Sequence, residues 1–168
     1  MNHHDRALNW AVEAGADEAE VRTAWVTGRA AEVPIGRLWH VFRVTVPIGQ
    51  AMIDSLSERG TTLGPVLFCP ARAAIEFLTP CGHRQVQPQP TVRLATTGHI
   101  RWPAPDVTVP TGRHAVCGRS WIVPPLITVP RHTPLPDLYR AAQASVRDHA
   151  AAAEDLMDKA VFGRAATR

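Results

Sequence analysis

Apolar positions recur at two different spacings along this chain, and the spacing divides it into elements. Residues 5–16, DRALNWAVEAGA, place Leu8, Ala11 and Val12 on one helical face and end at Gly15. Residues 16–26, ADEAEVRTAWV, repeat the pattern: Asp17 is suited to cap, acidic residues fill the first turn, and Val21, Ala24 and Trp25 form the stripe. The next stretch, GRLWHVFRVTVPIG at 36–49, is almost continuously apolar and reads as a strand buried on both faces, closed by Pro47 and Gly49. His40 and Arg43 are its two anomalies, and alternation puts them on opposite faces. Residues 50–59, QAMIDSLSER, return to helical spacing with Met52, Ile53 and Leu56 inward and Gly60 as the stop.

Short extended pieces follow. PVLFCP (65–70) and AAIEFLTP (73–80) form a pair of strands turning at Arg72, and the proline-broken CGHRQVQPQP (81–90) is a loop. TVRLA (91–95), HIRWPAP (99–105) and SWIVPPLITVP (120–130), the last interrupted by paired prolines, complete the strands. From Thr133 the helical spacing resumes through Leu135, Leu138, Tyr139, Ala142, Val146, Ala153, Leu156 and Met157, predicting one long helix to about Val161. The order predicts an α+β fold: a single domain with a central, largely antiparallel sheet flanked by helices, and a long C-terminal helix. Residues 1–132 form the body. Residues 133–161 are a helix packed on it or at a dimer interface, and 162–168 a flexible tail.

At 168 residues, 45% apolar and 20% charged, the composition is that of a globular domain able to bury its own core. No apolar run is long enough to span a membrane, and the N-terminus lacks a signal-peptide pattern, so the expected location is cytoplasmic. Three widely spaced cysteines, Cys69, Cys81 and Cys117, argue against a disulfide framework. The net charge of +3 is carried by arginine, with Lys159 the single lysine. The guanidinium fork suits phosphate and carboxylate. The excess also fits a codon bias shared with the abundant Ala, Pro and Val. The two N-terminal helices superficially suggest helix-turn-helix, but the second carries no groove-reading basic residues beyond Arg22.

Four pieces in order, ADEAEVRTAW, PIGRLWHVFRVTV, the LGPVLF…RAAIEFL hairpin and GRSWIVPP, resemble the primase/polymerase domain of the archaeo-eukaryotic primase superfamily, in the form common in actinobacterial and phage proteins. The resemblance covers about residues 16–125. In that family the strand matching 40–45 ends in two metal-binding acids separated by one apolar residue. Those positions are Arg43 and Thr45 here. The family's phosphate-contacting histidine falls near Ala73 or Ala74, and its later acid near Arg113 or His114. A guanidinium repels a metal cation, so the resemblance implies a scaffold without two-metal nucleotidyl transfer, hence no enzyme and no cofactor.

Replacing the acids with Arg43 turns a cation site into a candidate anion site. Arg72, Arg93, Arg101, Arg113 and Arg119 are expected around the same cleft, with Trp102 or Trp121 available for base stacking. The expected function is that of a non-catalytic accessory or regulatory protein binding nucleic acid or nucleotide phosphate. Against this stands the plainer reading that the arginines pair with Glu58, Glu76 and Asp106 over the surface. The other functional class is a protein-interaction or structural module, a homodimer through the C-terminal helix, recognised by an apolar, alanine-lined stripe left exposed. Two further constellations are weaker. Cys81, His83, His114 and Cys117 supply zinc-type ligands at unusual spacing. Cys81 with His83 or His114 would be a nucleophile and base, but nothing like a nucleophile signature surrounds it. The remaining tryptophans, Trp10, Trp25, Trp39 and Trp121, are expected to anchor the core.

Overall fold

The computed structural model describes residues 2–82, 91–109 and 118–165, with side chains described as far as Met157. Helix α1 (His3–Glu13) is opened by a reciprocal capping box between Asn2 and Asp5, and α2 (Glu18–Val26) is capped by Asp17. Strand β1 (Ala31–Pro34) follows, then β2 (His40–Thr45), α3 (Val46–Glu58), β3 (Val66–Cys69) and β4 (Ala74–Thr79). β5 (Val92–Ala95), β6 (His99–Trp102), β7 (Ser120–Val123) and α4 (Leu135–Ala165) complete the chain. No helix among the described residues is long and apolar enough to cross a membrane.

The strands form two antiparallel sheets, which makes the fold α+β as the spacing predicts. The larger has the order β5-β2-β4-β3-β7, and β1 pairs separately with β6. Alternation along the five-stranded sheet sends Phe42, Val44, Ile75, Phe77, Val66 and Val92 toward α3 and α4. Val41, Leu78, Leu67, Cys69 and Trp121 point the other way, into a second core shared with α1, α2 and the β1–β6 pair. β2 and β4 are therefore covered on both sides, which explains their near-continuous apolar sequence.

The stretch 36–49 departs from its expected course. The strand stops at Thr45, and Pro47 and Gly49 lie inside α3 rather than ending β2. Proline is compatible with a helix's first turn, where its missing N–H needs no partner. Gly49 is there for closeness: a Cβ at this position would stand 2.7 Å from the Ile75 Cβ, so only glycine lets α3 pack this tightly on β4. The last strand is also shorter than expected, ending at Val123 because Pro124 and Pro125 cannot donate to a ladder.

In α4 the stripe Leu135, Leu138, Ala141, Ala142 and Ser145 is buried against α3 and the sheet. Every residue from Arg147 to Met157 is exposed, and the helix continues to Ala165.

Candidate functional site

Arg43, at the centre of β2, stands opposite Glu76 of β4 on one side and Arg93 of β5 on the other. Antiparallel partners share a face, so this register alone places two cations and one carboxylate in a row across the sheet. Leu67 and Trp121 continue the same row over β3 and β7. The polar residues thus occupy one end of a face whose other end is apolar core.

Glu76 has no exposed side chain, and two guanidiniums hold it. Arg43 donates from Nε at 2.7 Å and from Nη2 at 2.6 Å to Oε1. Arg119, one residue before β7, donates from Nη1 at 2.5 Å to Oε2. The same Nη1 lies 3.0 Å from the Cys69 Sγ. A buried carboxylate shared by two arginines meets the demand that buried charge be paired and hydrogen-bonded. Burial, and then the Glu76 charge, push the Cys69 thiol up to about 12, so it stays protonated and unreactive at neutral pH.

Beside this triad lies a cavity of about 160 Å³, lined by Arg43, Thr45, Arg72, Ala73, Thr91 and Arg93 among others. Arg72 and Arg93 are exposed, and neither has a carboxylate partner among the described residues. Ala73 sits in the left-handed region (φ 45°), a conformation a non-glycine residue adopts at a cost of about 1–3 kcal/mol and one that gathers at ligand sites. The buried Thr91 Oγ1 has no hydrogen-bond partner. Three guanidiniums, those of Arg43, Arg72 and Arg93, thus line the cavity, and no carboxylate lines it among the described residues.

The residues expected at a cleft divide three ways. Arg43, Arg72 and Arg93 come together around one cavity, and Arg119 joins them through Glu76. Arg101 does not: β6 pairs with β1 outside the main sheet, where Arg101 bridges to Glu32 at 2.7 Å on the surface. Trp102 cannot stack on a base, because it is fully buried, parallel to Trp39 at 5.1 Å and edge-on to Trp121 at 4.8 Å. Trp121 is buried in the same cluster. Arg113 lies outside the described residues, as do His83, His114 and Cys117, three members of the zinc-type set. The thiol of Cys81 is raised by partial burial. Glu76 does pair with arginines, in the core rather than over the surface, and Asp106 lies 3.6 Å from the His4 imidazole.

The sequence offers Glu76 only as a surface partner for arginine, whereas its side chain is fully buried. An isolated acid inside an apolar strand does signal a buried ion pair, but its two partners are distant in sequence and only the register joins them. Comparison with protein-family models, curated proteins and solved structures finds no match to this chain.

Proposed function

We propose that this chain is a non-catalytic relative of primase/polymerase domains that binds phosphate groups of nucleic acid or nucleotides on the Arg43–Arg72–Arg93 face. The observation that carries this reading is the shared cavity of these three arginines, two of them without a carboxylate partner among the described residues. Its volume of about 160 Å³ equals roughly five waters in the liquid, room enough for a phosphate group. Arg43 is pre-oriented by Glu76, which lowers the entropy lost when a third group joins it. The exposed Thr45 offers a hydroxyl donor beside the guanidiniums. No aromatic ring lines the cavity among the described residues, which favours recognition of phosphate over base.

The test is fluorescence anisotropy with single- and double-stranded oligonucleotides across a salt series. Binding is expected to weaken as salt rises, because each neutralised phosphate releases counterions. Arg72→Ala and Arg93→Ala, which leave the buried triad intact, should each weaken binding and reduce the salt slope by about one. Absence of binding at low salt, or affinities unchanged in both variants, would overturn the reading.

A second reading is favoured by α4. Leu156 and Met157 are 67% and 70% exposed on a helix whose last buried residue, among those with described side chains, is Ser145. A long exposed helical extension gains little from propensity alone and is stabilised by packing. A second copy of the chain would supply that packing. Sedimentation velocity should then show a concentration-dependent dimer that Leu156→Asp with Met157→Asp abolishes; a monomer at all concentrations would remove this reading.

A further inference from the structure

A larger cavity, about 370 Å³, lies between α1, α2 and the segment 104–107, and shares no lining residue with the arginine cavity. Its size is in the range of small-molecule sites. Its walls are of two kinds. The apolar part comprises Leu8, Ala104, Val107 and the ring of Trp25. That ring is fixed from both ends: its Nε1 donates to the Trp102 carbonyl at 3.0 Å, and the His4 imidazole meets it edge-on at 5.9 Å. Because its one polar atom is engaged in the core, Trp25 offers the cavity only hydrocarbon. Beside it Val26 is 89% exposed, the most exposed large apolar side chain among the described residues.

The charged part is segregated by element. Asp5 on α1 and Asp106 on the facing segment supply the acids, and the His4–Asp106 contact of 3.6 Å draws these two elements together. Arg22 on α2 and Arg29 just beyond it supply the bases. Glu18 engages Arg22 through Nε, and the Thr27 hydroxyl accepts from the Arg29 Nε, so among the described residues the terminal nitrogens of both forks are left for other acceptors. An apolar chamber with carboxylates from one side and guanidiniums from the other complements a molecule that is hydrophobic in the middle and oppositely charged at two points.

We propose that this cavity binds a small zwitterion with an apolar body, of the class of an aromatic α-amino acid, its ammonium directed to Asp5 and Asp106 and its carboxylate to Arg22 and Arg29. The size allows it: at roughly 30 Å³ per water the space equals about a dozen waters, more than enough volume for a molecule the size of phenylalanine. Each charged hydrogen-bonding end contributes about tenfold or more to affinity.

Isothermal titration calorimetry on the full chain tests this with three ligands of one shape. Phenylalanine carries both charges, 3-phenylpropionate only the carboxylate, and phenethylamine only the ammonium. Saturable binding of phenylalanine is expected, with each single-charge analogue at least tenfold weaker. Arg29→Gln should bring phenylalanine down toward the affinity of phenethylamine while leaving phenethylamine itself unchanged. Asp106→Asn should do the reverse, with 3-phenylpropionate as the unchanged ligand. No saturable binding of phenylalanine, or equal binding of either analogue, would overturn the proposal. Both outcomes are independent of oligonucleotide binding at the arginine cavity.

Discussion

Glu76→Ala is expected to cost about 3–5 kcal/mol of folding free energy, the usual penalty for removing one partner from a buried ion pair. The carboxylate has no exposed side-chain surface and holds Arg43 through Oε1 and Arg119 through Oε2. Without it, two guanidiniums with 19% and 10% side-chain exposure face each other across an empty volume, and their repulsion adds to the lost hydrogen bonds. For a chain of this size the melting temperature should fall by roughly 6–20 °C. Urea melts give the free energy directly, and a loss below about 1 kcal/mol would show that the triad is not the tightly coupled unit the geometry describes. The triple variant Arg43→Met, Glu76→Leu, Arg119→Met separates the two sources of the penalty. Hydrophobic replacements of all members of a buried triad are often neutral or stabilising, so the triple variant should recover most of the loss. It should also lose phosphate binding, because Arg43 lines the proposed site. Stability without binding would assign the triad to function rather than to the fold.

Trp102→Ala should be comparably severe, at about 3–5 kcal/mol, with no selective effect on ligand affinity. Its indole is completely buried, stacked on Trp39 and edge-on to Trp121. Its Nε1 donates to the Ala7 carbonyl at 3.1 Å, and its own carbonyl accepts from Trp25. Removing the ring opens a large cavity where the two sheets and α1 meet, and the surrounding rings are too rigid to collapse into it. Trp102→Phe keeps much of the volume and should fold, losing the hydrogen bond to Ala7. Oligonucleotide affinity in that variant should equal that of the unaltered chain. A folded variant with strongly weakened binding would contradict the burial and restore the stacking role that the sequence offered to this residue.

The fold class was legible because the alternation of spacing is strong. Leu8 and Ala11, Met52 and Leu56, and Leu135, Leu138 and Ala142 are buried as their periodicity requires, and each strand except β1 lies within the stretch that predicts it. Boundaries were lost where one residue serves two structural uses. Pro47 breaks a strand and also starts a helix, and Gly49 reads as a stop until Ile75 is seen pressed against it. The candidate site was legible residue by residue but not as an arrangement. Arg43, Arg72 and Arg93 stood out as cations in or beside strands, as did Arg101 and Trp102, and nothing local separates the first three from the last two. The separation comes from pairing: β5 joins β2, whereas β6 joins β1.

The sequence by itself determined the order and type of every described element but the short β1, because helix and strand periodicity and the proline and capping signals act within a few residues. Tertiary structure decided which charges meet. Strand register joined Arg43 to Glu76 over 33 residues, β7 brought Arg119 to the same carboxylate, and closure of the two sheets buried Trp102. These outcomes depend on partners distant in sequence, and on the cost of leaving a buried charge unpaired, which is assessed only when the whole core closes.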